Sequence, residues 1–270
     1  HKKMKKVTII ACDLSRQNYR YLKKGSTNSK LDHYYSVTGH INFKDPINML
    51  YVDGTVSKSW NIYQTSATQD FLGNYIILGT EYAPSRGESW YATISGSVGL
   101  YGINGKIGAS VSYRDYSSTS TLQNGVRTPY RSQTISFKPT FSGRFAKWLG
   151  MEYKLHYFHN ILDLSGSGKT DSKDNFSHTL SFDITPINNL DLKIAAEHYF
   201  TMLTSEQTKN TVLFDASLAY RLGNVEINLT ARNILNQHVY AYSVINGLQE
   251  FSCKYRIRPL NILAGVFFNF

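Results

Sequence analysis

The chain has 270 residues, of which 41% are hydrophobic, 14% aromatic and 18% charged, and its net charge is +10. This length suits one or two globular domains, and no run approaches the roughly 18 apolar residues that a transmembrane helix needs. The basic residues are scattered apart from the segment 2–6 and accompany no nucleic-acid-binding motif. Nucleic acid is therefore not expected as a partner, whereas anionic lipid or anionic solutes suit a basic surface.

Residues 1–32 make up a poorly defined N-terminal segment. Its apolar run at 7–12 is too short for the core of a signal peptide, and the first six residues do not resemble a natural start. The natural N-terminus is therefore expected upstream. Cys12 and Cys253 are far apart in sequence and define neither a disulfide framework nor a metal-ligand spacing.

From residue 33 onward, apolar and polar residues alternate in long segments, which predicts β-strands. In the segment 90–102, for example, Trp90, Ile94 and Val98 share one face and Thr93 lies on the other. A helix is excluded because this period would spread the apolar residues around its circumference. Similar segments are 131–142, 176–185, 190–200, 212–221 and 225–232, and less regular candidates are 33–43, 49–63 and 72–83.

Strand length and loop asymmetry distinguish a membrane barrel from a soluble sandwich. The strands run about 10 residues or more and recur about every 20 residues, as bilayer-crossing strands do, whereas sandwich strands recur every 8–12 residues. Tight turns alternate with longer polar stretches, an asymmetry that is typical of outer-membrane barrels. The tight turns are 103–106, 145–148, 186–189 and 222–224, and the longer stretches are 116–129, 163–175, 203–210 and 238–258.

These patterns predict an all-β fold, an antiparallel transmembrane β-barrel of about 12 strands over residues 33–270. The tight turns are assigned to the periplasm and the long loops to the outside of a bacterial outer membrane. Charged and polar side chains expected in the water-filled interior are Glu152, Lys154, His156, Asp183, Lys193, Glu197, Asp215, Glu226 and Arg232. Aromatic residues expected in the interfacial girdles are Trp60, Tyr63, Trp90, Tyr113, Tyr116, Trp148, Tyr153 and Tyr220. Tyr240 and Tyr242, in a long loop, are exceptions to this girdle interpretation.

The last strand ends in an alternating apolar sequence. Its apolar residues are expected to face lipid, with Phe270 at the periplasmic interface. The segment 265–270 also resembles the C-terminal assembly signal of bacterial outer-membrane proteins, with Gly265, Phe268 and Phe270 at the matching positions. Leu263 departs from the polar residue of that signal. The resemblance implies the barrel-assembly machinery as a partner, and the alternative is the final strand of a soluble sheet.

The segment 225–242 resembles the penultimate-strand region of TonB-dependent outer-membrane receptors. That family shows an alternating strand followed by Asn, an apolar pair, Asn and an aromatic residue. Arg258 and Pro259 then introduce the last strand, as in Bacteroidetes-type members. The residues that match the first pattern are Asn233, Ile234, Leu235, Asn236 and Tyr240.

This resemblance implies that the chain is the C-terminal part of a larger barrel. The family has 22 strands, an N-terminal plug and a segment that contacts an inner-membrane energising complex, and the chain contains neither plug nor segment. The family imports a scarce nutrient such as an iron chelate, a vitamin or a glycan. Alternatives are a self-contained porin or outer-membrane enzyme of 12–14 strands, or a soluble β-rich binding or adhesion domain. We predict no enzyme activity and assign no catalytic, cofactor-binding or metal-binding residue, and the substrate-binding residues are unknown.

Two short motifs resemble functional sites but lack the context that such sites need. The segment 166–170 resembles the end of a phosphate-binding loop, but Asp163 occupies the place of the required glycine. A flexible extracellular loop is expected there. His156 and His159 resemble a metal pair, but their odd spacing on a strand directs them to opposite faces. His178 and Asn160 are interpreted as residues of the extracellular rim.

Overall fold

The computed structural model describes residues 15–16, 21–24, 31–119, 121–164, 169–203, 207–246 and 249–268. These residues are nearly all in strands, and their one helical element is the 3-10 turn Tyr101–Ile103. Within these ranges, no helix is long and apolar enough to cross a membrane.

The strands are β1 (Ser15–Arg16), β2 (Tyr21–Lys23), β3 (His33–Asp45), β4 (Leu50–Tyr63), β5 (Ser66–Leu72), β6 (Tyr75–Glu81), β7 (Ser85–Leu100), β8 (Gly105–Ser118), β9 (Thr121–Gln123), β10 (Val126–Arg127), β11 (Tyr130–Ala146), β12 (Leu149–Leu164), β13 (Lys169–Ile187), β14 (Leu190–Met202), β15 (Thr208–Leu222), β16 (Val225–Arg232), β17 (Val239–Asn246), β18 (Gln249–Arg256) and β19 (Asn261–Phe268).

Eleven of these strands form one antiparallel sheet. Their order across the sheet is β19-β16-β15-β14-β13-β12-β11-β8-β7-β4-β3. The prediction of a large antiparallel sheet of long strands is thereby confirmed. The sheet has two edges, β3 and β19, and is not closed into a barrel.

Tight turns close one end of the sheet, as the sequence predicts. All four predicted tight turns join neighbouring strands of the sheet, and a fifth lies between Asp45 and Leu50. The opposite end is built differently from the expectation of long loops. The stretch at 163–175 lies mostly in β12 and β13, because strand pairing continues there beyond the alternating apolar positions, with Asp163 opposite Thr170.

Two further regions of the chain form strands outside the large sheet. The candidate strand at 72–83 belongs mainly to β6, which pairs with β5 in a second sheet of order β1-β2-β6-β5-β9-β10. The stretch at 238–258 contains the antiparallel hairpin of β17 and β18.

Register assigns every side chain of the large sheet to one of two faces. Directly paired residues share a face, so Ile94, Gly54 and Val111 lie together, and so do Asp183, Lys193 and Ser217. We call these the apolar face and the polar face. The nine polar and charged residues predicted to point inward all lie on the polar face. Apolar side chains on the other face are largely exposed, as with Ile41 at 72% and Ile94 at 57%.

The strands are staggered in a regular way. Three backbone hydrogen bonds each join a tight turn to a residue about two positions before the next turn of the sheet. This offset between neighbouring hairpins corresponds to a strand tilt of about 35°. On β7, the apolar face is apolar from Trp90 to Leu100. At this tilt, ten residues span about 27 Å, close to the band of about 25 Å on membrane barrels. The backbone bonds are Gly99 to Met49, Thr185 to Trp148 and Arg221 to Asn189.

A charge on the apolar face tests what surrounds that face. We expect Ile94→Arg to destabilise the chain folded in phospholipid bilayers by about 2–4 kcal/mol, because hydrocarbon solvates a guanidinium poorly. The measurement is equilibrium unfolding by denaturant in vesicles. Thr93→Arg, on the polar face beside it, is the matched control and should change the free energy of unfolding by less than about 1 kcal/mol. Equal effects of the two substitutions contradict a lipid-exposed apolar face.

Candidate functional site

The polar face near the tight turns carries ion pairs, some between neighbouring strands and one within β12. Lys193 lies 3.7 Å from Asp183, and Lys154 lies 2.8 Å from Glu152. Arg221 bridges two carboxylates, Asp191 at 2.9 Å and Glu226 at 3.0 Å. These side chains are substantially exposed, so each pair contributes little to stability. They do maintain a charged, wettable surface.

The β17–β18 hairpin folds over the polar face at the end opposite the tight turns. The ring of Tyr199, a polar-face residue of β14, contacts that of Tyr240 edge-on at a centroid distance of 5.3 Å. Ala241 and Ser243 are each 2% exposed. The hairpin therefore covers part of the surface that the strands alone would leave open.

Aromatic rings continue along this hairpin. The ring of Tyr242 lies 6.4 Å from that of Tyr240 and stacks on that of Tyr255 at 5.8 Å. Hydrogen bonding with Tyr255, and then with Cys253, raises the pKa of Tyr242 to about 12. The hydroxyl of Tyr242 is therefore neutral at physiological pH. The cluster presents neutral aromatic surface, which is suited to stacking on planar or sugar-like groups.

Lys173 joins the hairpin to the sheet. It lies opposite Asn160 in the β12–β13 ladder and is 2% exposed. Its ammonium donates to the carbonyl oxygen of Leu203 at 2.5 Å and to the hydroxyl of Ser243 at 3.1 Å. A buried ammonium needs such partners, because burial without them is costly. The contact with Ser243 therefore favours the folded-in position of the hairpin.

Two buried amides lie beside Lys173 on the same face. Asn160 donates to the hydroxyl of Thr134 at 2.8 Å, but its side-chain oxygen has no partner among the described residues. Both side-chain polar atoms of Asn175 likewise have none within the described ranges. Buried polar groups are normally hydrogen-bonded, so a polar region lies beneath the hairpin.

The Asn233–Asn236 corner forms the exit of β16. Asn233 has a left-handed backbone with φ 53°, which asparagine tolerates better than most residues. Its amide nitrogen donates to the carbonyl oxygens of Gln237 and Arg258, and its oxygen accepts from the backbone of Gln237. The Asn236 oxygen accepts from the backbone of Leu260. The two asparagines thus join the exit of β16 to the entry of β19.

The residues singled out from sequence separate into different environments. His156 lies on the polar face 3.3 Å from the hydroxyl of Ser136, whereas His159 lies on the opposite face 2.8 Å from Asp174. The structure therefore does not bring the two histidines together. No group of three or more potential metal ligands occurs in the part of the chain that the structure describes.

Other predicted positions need correction or lie outside the described ranges. Asn160 is buried on the polar face, four residues before the end of β12 that lies opposite the tight turns. His178 lies midway along β13 on the apolar face, 2.8 Å from His198, so it is not at the rim. Tyr63 and Tyr116 lie on the polar face and do not belong to an interfacial girdle. Positions 166–168 of the phosphate-loop-like motif, Cys12 and Phe270 lie outside the described residues.

Sequence reasoning missed Lys173, Tyr199 and Ser243. All three acquire their importance from a contact between the hairpin and the sheet over a long sequence separation. The one available signal was the pair Tyr240 and Tyr242, aromatic residues within a stretch expected to be a loop.

Compared with protein-family models, curated proteins and solved structures, the chain shows no match.

Replacing Lys173 should loosen the hairpin. We expect Lys173→Met to increase the rate of limited tryptic cleavage after Lys254 several-fold, because the bond to Ser243 is lost. Cleavage sites are identified by mass spectrometry of the folded chain. Lys193→Met removes a cation from the same face at a distance from the hairpin and should leave that rate unchanged. An unaltered cleavage rate for Lys173→Met contradicts the inference that Lys173 holds the hairpin against the sheet.

Replacing Asn233 should destabilise the strand exit. We expect Asn233→Ala to lower the free energy of unfolding by about 1–3 kcal/mol, because two carbonyls lose their donor. Asn233→Gly tolerates the backbone angle and should cost less than alanine. Asn236→Ala meets the same backbone strain but removes one exposed bond only, so it should cost less than Asn233→Ala. Urea titration in detergent micelles ranks the three variants, and an equal loss for all three contradicts this assignment.

Proposed function

We propose that the chain forms the C-terminal half of the wall of a TonB-dependent outer-membrane receptor, which takes up a scarce nutrient such as an iron chelate, a vitamin or a glycan. In this proposal, lipid covers the apolar face and the polar face lines the interior. The missing half-wall, the plug and the inner-membrane energising complex are its partners. The barrel-assembly machinery inserts it through its C-terminal strand.

The direction of the two edge strands carries this proposal. An antiparallel sheet of eleven strands begins and ends with strands that run the same way, so β3 and β19 both run toward the tight turns. Pairing these edges with each other would require a parallel contact. Bacterial single-chain barrels have even strand numbers and antiparallel pairs throughout. An odd number of further strands is therefore needed, and eleven is half of the 22 in outer-membrane transporters.

The Asn233–Asn236 corner and the hairpin also support this assignment. The corner lies where the sequence resembles the receptor family, and its hydrogen bonds give that pattern a structural reason. The hairpin extends from the end of the sheet opposite the tight turns, which the receptor proposal assigns to the cell exterior. Because it covers the polar face, it narrows the interior at its outer mouth. Such a position suits a loop that contacts a solute on entry.

The native protein that contains this chain tests the proposal. An antibody against residues 33–268 should detect, in outer-membrane fractions of the source organism, a heat-modifiable protein much larger than the 30.7 kDa of this chain. The purified 270-residue chain should give no stable unitary conductance in bilayers, because its two open edges prevent closure into a channel. A native outer-membrane protein of about this chain's own mass, with unitary conductance, supports a self-contained channel instead. A native protein found only in soluble fractions contradicts both.

A further inference from the structure

A groove on the polar face lies between β4, β7, β8 and β11. Its volume is about 380 Å³, which accommodates a small organic solute. Its floor consists of small residues, Ser95 and Ser97 on β7 and Gly108 and Ser110 on β8. Small side chains leave room for a solute, and the serine hydroxyls offer hydrogen bonds.

Two lysines line this groove. Lys106 is the second residue of β8, and Lys138 lies directly opposite Ser110 in the β8–β11 ladder, about four residues further along the strands. The two backbone positions are therefore about 14 Å apart, given the rise of about 3.3 Å per residue and the strand spacing of about 4.8 Å. Their flexible side chains can approach the same solute from two sides. The ammonium of Lys106 also lies 5.9 Å from the ring of Tyr51.

These lysines differ from the other cations of the polar face. Lys154, Lys193 and Arg221 each have a carboxylate within 4 Å. Lys106 and Lys138 have no such partner among the described residues. Asp53, on the far side of the groove, is within 3.4 Å of His40 and accepts from Asn42. The groove lining therefore contains two lysines and one carboxylate, so its net charge is positive, and neither lysine has an ion-pair partner within 4 Å among the described residues.

We propose that this groove binds a compact solute with at least two anionic groups, one for Lys106 and one for Lys138. Carboxylate and phosphate share the required chemistry, and the serine hydroxyls of the floor can donate to either. The proposal rests on the polar face being the water-filled interior of the receptor. Within a low-dielectric wall, uncompensated cations concentrate anions. Arg114, over the ring of Tyr91 at 5.6 Å, is the next cation toward the hairpin.

Binding of two probes to the folded, detergent-solubilised chain tests this. Isothermal titration at low salt with citrate and with pyrophosphate distinguishes a carboxylate from a phosphate ligand, and glucose serves as the neutral control. We expect saturable binding of citrate, pyrophosphate or both, and none of glucose. Lys106→Gln and Lys138→Gln should each weaken that binding by about tenfold, as expected for the loss of a charge-assisted hydrogen bond.

Two control variants distinguish binding in this groove from general electrostatic attraction of anions to the polar face. Lys154→Gln removes the same charge from a neighbouring strand, but its lysine is already paired with Glu152, so affinity should change less than about twofold. Ser110→Phe fills the groove without changing charge and should abolish binding. The far-ultraviolet circular dichroism spectrum confirms that each variant is folded.

Several outcomes overturn the proposal. These are a folded chain that binds neither anion, equal losses for Lys154→Gln and the two groove lysines, or normal binding by Ser110→Phe. These outcomes contradict only the groove. The receptor proposal is tested separately, because a native protein found only in soluble fractions contradicts it whether or not the purified chain binds anions.

Discussion

The structure depends on one constraint, which is that the apolar face of a very wide sheet must be covered. Eleven long strands present this face without a second layer over it among the described residues, and Val37, Ile41 and Ile262 are 67%, 72% and 63% exposed. Soluble proteins rarely leave contiguous apolar areas of more than a few hundred Å² in water. In the proposed outer-membrane location, hydrocarbon would cover this face without a protein partner, because the strands of the sheet pair with one another. The tilt and the height of the apolar band fit the same explanation.

The edges of the sheet impose a second requirement. An unpaired strand exposes backbone donors and acceptors, which promotes pairing with another chain and is not tolerated in hydrocarbon. β3 and β19 both need antiparallel neighbours, and their common direction prevents them from serving each other. In the proposed barrel, this topology would call for further strands, and the receptor resemblance independently implies the same. Ion pairs, the groove with its two unpaired lysines and the folded-in hairpin all lie on the polar face, which the proposal assigns to the interior.

Much of the sheet could be predicted from sequence, because the alternation of apolar and polar residues along a strand indicates which face each residue occupies. The faces of Ile94 and Lys193 and the tight turns at 145–148 and 186–189 follow from local pattern alone. The β17–β18 hairpin and the pairing of β6 with its partners in the second sheet could not be found, since these short strands carry little periodicity. Lys173 was hidden for another reason. Its role depends on Ser243, which is distant in sequence, and no local pattern records such a contact.

The most direct test of a lipid-covered apolar face is a spin-label scan along β7 in reconstituted bilayers. Labels placed singly at residues 91–98 report collisions with oxygen, which concentrates in lipid, and with a water-soluble nickel complex. Our account predicts a period of two, with positions 92, 94, 96 and 98 accessible to oxygen and 91, 93, 95 and 97 accessible to nickel. Nickel accessibility at both sets of positions, or at 92, 94, 96 and 98 alone, would contradict it.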